Sequence, residues 1–460
     1  MLAATGISQP SCAMNNYGRM IDYPSKPRKV APVDSKYFWI IRQHLRKIWV
    51  RVVSFALLAV LTLALTPVLS PLIPTDVGAS LGSVSVDQIL TILASSMLAV
   101  TTFSLSIAVS AFAAAAANAT PRATAILQQD PTTQNVLSTF LGAFLFSLIG
   151  LIGLRTDYYD RSGQVFLFMA TLVVVALVVI ALLRWIGHIS NFGRMHDILT
   201  RVERAATISF RHQLENPYLR ARPLSGRVPD DAYPIAPTRT GYVQHIDIKA
   251  LNDCANEHGV ELYIDALPGT FVHAAAQLVR VRGASLSAKQ QQFLRDAFTI
   301  ETKRSFDQDP RFALIVLSEI ASRALSPAVN DPGTAISVIG HLVRVLSTLK
   351  EPQEPPVDYP LVHVPAVRPT DMIIDAFRPI ARDGATFIEV QIRLQKALAS
   401  LDSIAPEIFG RPVAKLSAYA IARANDAGMC QEELASLEAL RVESRTGSNT
   451  GRDDDTWKTM

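Results

Sequence analysis

The chain has 460 residues, 49% of them hydrophobic and 18% charged, a balance too apolar for an ordinary soluble protein and long enough for several domains. Its formal net charge of +4 does not argue for nucleic acid, because the basic residues flank apolar runs instead of forming an aromatic-interleaved patch. Cys12, Cys254 and Cys430 lie far apart without CxxC spacing, so neither a disulfide framework nor a structural zinc site is expected.

The first twenty residues lack the basic start, apolar centre and small-residue cleavage site of a signal peptide. With Met14 and Met20 as alternative starts, the segment 1–38 is expected to be disordered or an artefact of the assigned start. Residues 39–190 form the expected transmembrane domain. Apolar runs at 52–72, 89–117, 136–154 and 165–183 are nearly free of interior charge, and each is long enough to cross a bilayer as a helix.

Charge sets the expected orientation. Lys26, Arg28, Lys29, Lys36, Arg42, Arg46, Lys47 and Arg51 precede the first run, whereas 73–88 carries Asp76 and Asp87 and no Lys or Arg. The positive-inside rule then places the N-terminus in the cytoplasm, and four spans return the chain there. Arg184, Arg194, Arg201, Arg204 and Arg211 follow, in an expected basic juxtamembrane helix over 191–215. Its attraction to anionic lipid would support the same orientation; ordinary topology charges without lipid specificity are the alternative.

The second run is unusual. About 29 uncharged residues make a straight helix of about 43 Å against a hydrocarbon core of about 30 Å, so it must tilt, kink or protrude. Ser95, Thr102, Ser106 and Ser110 fall on one helical face. Such a face either lets helices approach closely or lines a pore in an oligomer.

Prolines at 217, 223, 229, 234 and 237 mark 216–240 as a linker or an ordered extended crossing. Over 241–283, short β-rich runs bracket a helical stretch and the turn LPGT leads into another strand, which predicts a small β-barrel-like module. His245, Asp247, His258 and His273 lie in or near it without metal-ligand spacing, and are expected to be packed or solvated. The remainder is mainly helical, with helices predicted at 287–300, 310–325, 332–349, 369–383, 388–403 and 412–442, the last with breaks. The segment 284–350 contains a polar corner at 323–335, 351–368 is a proline-rich connector, 369–442 is a helical C-terminal part, and 443–460 is an expected disordered tail. The fold class is thus a mainly α membrane protein: a four-helix transmembrane domain, then a cytoplasmic α+β region.

The corner reads RALSPAVNDPGTA. Asp309-Pro310 and Asp331-Pro332 can each cap and begin a helix, as can Asp130-Pro131, and Ser326-Pro327 ends one. Glu319 and Arg323 stand four apart on one face, with Asn330, Asp331 and Thr334 following. Either a salt-bridged corner fixes the helix pair or a subunit interface, or these residues, with Ser326, form a ligand site. No Gly-rich phosphate loop, GxSxG elbow or HExxH is present, and Ser326 has no nearby His to activate it. No enzyme activity, catalytic residue, metal or cofactor is therefore expected.

TKRSFDQDPRFALIVLSEIASRALSPAVNDPGTAISVI resembles a signature block of a bacterial family of predicted inner-membrane proteins, domain of unknown function 2254, as do ASSMLAVTTFSLSIAVSAF, TPRATAILQQD and GYVQHIDIKAL. The likeness spans about 39–440. It implies four membrane spans and a cytoplasmic C-terminal region, and no reaction or ligand. One departure is the alanine run at 113–117, where members often carry Gln and Ser before an SPR-like turn, here TPR at 120–122; it weakens any polar role for that helix end.

Two functions compete. The first is an oligomeric channel or channel-like transporter in the bacterial inner membrane, with a cytoplasmic regulatory domain; the spans carry no charge for proton-coupled transport. The second is a membrane-anchored sensor or scaffold that binds a ligand or partner at the 323–335 corner. Expected partners are the lipid bilayer and further copies of the chain, not nucleic acid.

Overall fold

The computed structural model describes residues 50, 52–54, 56–57, 60–61 and 86–443, apart from 129, 157–160, 191 and 350–356. Scattered described residues between 50 and 61 are helical. The rest of the expected first span, 52–72, lies outside the described residues, as do the expectations for 1–38 and almost all of 443–460.

Among the described residues three helices are long and apolar enough to cross a membrane, over Val86–Ala117, Pro131–Arg155 and Gly163–Ile189. They belong to α1 (Val86–Asn118), α3 (Pro131–Arg155) and α4 (Arg161–Ile189), with the short α2 (Pro121–Gln128) between the first two. Val86, Leu90, Leu93, Met97, Ser104 and Ala108 form the buried stripe of α1. Gly150 of α3 lets it come close: a β-carbon there would sit 3.1 Å from Leu90 Cδ1, which is the small-residue route to tight packing in lipid. Asp130 starts α3 by accepting the Thr133 amide at 2.7 Å, while Pro131 fits the first turn, where no amide donor is needed.

α5 (Met195–Glu215) leaves the membrane helices. Its apolar stripe, Ile198, Leu199, Val202, Ala206 and Phe210, is buried in the same core as the helical body. That body comprises α8 (Pro310–Ala324), α9 (Pro332–Leu346), α10 (Pro369–Asp383), α11 (Ile388–Ile404), α12 (Pro406–Asp426) and α13 (Gln431–Glu438). Ala115 and Ala119 at the end of α1, and Ala123 and Leu127 of α2, join this core. The end of α1, with α2, and the helical body are therefore in apolar contact.

The β-containing region differs from the expected barrel. β1 (Ala221–Pro223), β2 (Tyr233–Ile235), β4 (Glu261–Ile264), β6 (Val279–Arg282) and β8 (Tyr359–Val364) make a mixed sheet in the order β1-β8-β4-β6-β2. β3 (Gly241–Ile246), β5 (Phe271–Val272) and β7 (Phe298–Glu301) make a separate antiparallel sheet in the order β5-β3-β7. Neither sheet closes, because pairing is divided between two sheets and three strands of the larger one come from outside 241–283. α6 (Ile248–His258) and α7 (Ala288–Asp296) cover this region. The helix predicted over 287–300 stops at Asp296, and the following residues pair with β3 as β7; cross-strand partners override a helical pattern at its end.

Candidate functional site

Four places concentrate polar chemistry: the outer face of α1, the junction of α5 with both halves of the protein, the meeting of the β region with the helical body, and the 323–335 corner. On α1, Ser95, Thr102, Ser106 and Ser110 are all exposed. At 3.6 residues per turn they lie about half-way round the helix from the buried stripe, so within one protomer this face does not pack against α3. Ser95 and Thr102 donate to the carbonyls of Thr91 and Leu98, at 2.9 and 3.1 Å, which satisfies their hydroxyls without water. Large apolar residues flank this face, with Ile92, Phe103 and Val109 of α1 more than half exposed, whereas the outer face of α4 carries Met169, Val173, Leu183 and Ile186, also more than half exposed, as suits acyl chains.

The junction is built on carboxylates wedged between bases. Asp130, 4% exposed, accepts from Arg201 of α5 and lies 3.0 Å from His188 near the end of α4. Burial alone would raise its carboxyl, but His188, the Thr133 amide and Arg201 hold it well below the usual carboxylate range. Glu203, on α5, accepts from Arg344 of α9 at 2.8 Å and pairs with His341. Burial opposes its ionisation too, yet His341 and Arg344 lower its pKa to about 2. Arg122 of α2 pairs with Glu319 of α8. α5 is thereby tied to the start of α3 on one side and to α9 on the other.

A second buried network lies where the β region meets the helical body. Arg304 donates to Asp309 at 2.7 Å, and Asp309 also caps α8 by accepting the Phe312 amide at 3.1 Å. Gly269, at φ 90° in the LPGT turn, backs onto this pair; a β-carbon there would collide with the Asp309 carboxylate. Arg311 bridges Asp375 at 2.6 Å and Asp371 at 3.1 Å. Burial pushes the Asp309 and Asp375 carboxyls up, against the pull of Arg304 and Arg311 respectively.

At the corner, the structure separates residues that sequence spacing grouped. Glu319 pairs with Arg122, not Arg323, and Arg323 Nε is buried without a hydrogen-bond partner among the described residues. Ser326 donates to the Arg323 carbonyl at 2.7 Å. Asp331 accepts the Thr334 amide at 3.0 Å and its hydroxyl at 2.5 Å, so both are occupied in starting α9. Asn330 sits at φ 51°, a left-handed conformation that a short amide side chain tolerates. Beside this turn lies an open cleft of about 530 Å³, lined by Ser322, Ser326, Asn330, Asp383, Thr386 and Phe387 among others. Asp383, which the sequence reading missed, is held below the usual range by Arg382 and Ser322 despite burial. Its only sequence signal was the helix end at 383. Arg122, Glu203, His341 and Arg344 were missed because their partners are far away in the chain.

Comparison with known proteins adds a family. The sequence profile of a family described as predicted membrane protein (DUF2254) matches residues 46–400. An uncharacterized protein of Mycobacterium bovis and one of Mycobacterium tuberculosis are each 30% identical over 237 residues, covering 48% of this chain and 44% of the relative. The matched stretch is thus about half of this chain and less than half the length of those curated relatives. No solved structure matches the chain.

Proposed function

Given that the chain belongs to the DUF2254 family of predicted membrane proteins, we propose that it is a multi-pass inner-membrane protein that assembles from several copies into a channel, with both termini and the helical body on the cytoplasmic side. The fourth span of this reading is the run at 52–72. The observation that carries the proposal is the α1 face of Ser95, Thr102, Ser106 and Ser110, exposed and turned away from the other apolar helices among the described residues. Lipid offers such a face little, since small side chains give up dispersion contacts with acyl chains. A neighbouring helix or a water-filled path uses it better. The junction at α5 would then carry movements of the helical body to the membrane helices.

Planar-bilayer recording of purified, reconstituted protein tests this. Current under voltage or tension is expected, and Ser106→Leu should cut the unitary conductance several-fold by placing a branched apolar side chain in the path. Silence of the unaltered protein under voltage and tension would sink the channel reading.

The cleft beside the corner favours a second reading, a membrane-anchored sensor. It offers one carboxylate, three hydroxyls and an amide around Phe387, a mixture that suits a small polar ligand. Thermal-shift screening of the full chain in detergent should find a stabilising compound whose shift is abolished by Asn330→Gly, a change that removes the amide while keeping the left-handed backbone. A shift that survives Asn330→Gly would place that compound elsewhere.

A further inference from the structure

The face of α5 opposite its buried stripe packs against nothing among the described residues. Thr200, Arg204, Ile208 and Arg211 follow one another along it, all exposed, with Ile208 at 61%. Ile208 thus stands open between two arginines. The acids that could neutralise those arginines are engaged elsewhere: Asp197 holds Arg201 at 2.8 Å, and Glu203 holds Arg344 at 2.8 Å and pairs with His341. Among the described residues no carboxylate pairs with Arg194, Arg204 or Arg211, although exposed Glu215 closes the stripe at its far end.

The location of α5 says what this face meets. It begins at Met195, soon after α4 ends at Ile189. About two turns into α5, Arg201 still reaches Asp130, which starts α3 and also contacts His188 near the end of α4. Gly193 lies against Ala111 of α1, where a β-carbon would approach Ala111 Cβ to 3.2 Å. The first two turns of α5 therefore lie at the level where α3 begins and α4 ends, and its exposed face continues from there. With α3 and α4 as membrane spans, that level is the bilayer surface.

We propose that the exposed face of α5, through Arg204 and Arg211 with Arg194 at the helix start, binds the headgroups of anionic phospholipids, while Ile208 inserts among the upper acyl carbons. Guanidinium groups suit phosphate because their planar donor fork matches its oxygens, and unpaired arginines at a negatively charged leaflet gain attraction that zwitterionic lipid does not supply. An apolar side chain flanked by cations is the pattern of a helix lying in a membrane interface. The proposal rests on the membrane-span reading of α3 and α4.

The full chain is reconstituted into nanodiscs and vesicles of phosphatidylcholine, alone or with phosphatidylglycerol, and lipids retained on the protein are identified by native mass spectrometry. Phosphatidylglycerol should be enriched several-fold over its bulk fraction, and R204Q/R211Q should reduce that enrichment towards the bulk fraction. R227Q, a change at an exposed arginine near β1, should leave it intact. Melting in pure phosphatidylcholine should be the same for all three proteins, which separates lipid binding from folding. Equal enrichment in the unaltered protein and R204Q/R211Q overturns the proposal. If the unaltered protein fails to float with vesicles, the membrane-span reading falls first.

Discussion

Asp130→Ala is expected to lower the unfolding free energy by about 2–3 kcal/mol, the sum of a lost helix cap and of a partly buried Arg201 that keeps Asp197 but loses the second of its two carboxylates. The side chain serves three elements at once: it accepts the Thr133 amide that starts α3, contacts His188 near the end of α4, and receives Arg201 from α5. Arg201 is 21% exposed, so water recovers part of its solvation, which keeps the estimate at the lower part of the range for breaking a buried pair. Asp130→Asn should lose less, because asparagine caps as well as aspartate and forfeits only the charge. Thermal unfolding in detergent with far-ultraviolet circular dichroism would read both variants. An alanine variant that melts with the unaltered protein would show that Asp130 does not hold the junction.

The same carboxylate gives a pH dependence with a definite sign. The folded-state pKa of Asp130 is lowered from 3.8, and that of Glu203 from 4.5 to about 2. A lowered folded pKa means that the unfolded chain binds the proton more readily. The stabilisation from each group is therefore complete above the unfolded value and is lost as pH falls through the folded one. The stability gap between the unaltered protein and Asp130→Asn should be constant near neutrality and narrow below about pH 4. A gap that widens on acidification would contradict this account.

Arg311→Met should cost about 3 kcal/mol, for the complementary reason that it strands a carboxylate instead of a base. Asp371 and Asp375 are 11% and 14% exposed and Arg311 bridges them; Asp371 keeps Arg368 at 3.1 Å, so Asp375 is the group left uncompensated. Methionine keeps much of the side-chain volume, so packing is a minor part of the loss. Adding Asp375→Asn to Arg311→Met should recover a substantial share of the stability, because it removes that uncompensated charge. The interaction energy from the double-mutant cycle should be about 1 kcal/mol or more. Additive losses would mean that the two side chains do not act as a pair.

The features legible in advance were those written in short windows. Apolar runs about as long as a bilayer core is thick, or longer, identify α1, α3 and α4 without any partner, and Asp-Pro pairs at 130, 309 and 331 mark helix starts because cap and first turn are neighbours in the chain. The candidate site was read less well. Spacing along one helix matched Glu319 with Arg323, whereas the structure pairs Glu319 with Arg122, 197 residues away. His341 and Glu203 are 138 residues apart, and nothing local to either announces the other. The β region failed for a related reason: β1 and β8 are short strands from proline-bearing stretches that become strands through pairing with one another and, for β8, with β4.

By itself the sequence determined that the chain is a membrane protein, that its body is mainly helical, and where its principal helices begin. These properties depend on hydrophobic length, periodicity and caps, all of which act over a few turns. Only the tertiary structure decided that α5 ties the three long apolar helices to the helical body, that the α1 hydroxyl face turns away from the other described helices, and that the strands form two open sheets. Each of those outcomes depends on which distant charge, helix or strand edge meets which. A charged side chain buried in a low-dielectric junction takes whatever partner the fold brings to it, not the one nearest in the chain.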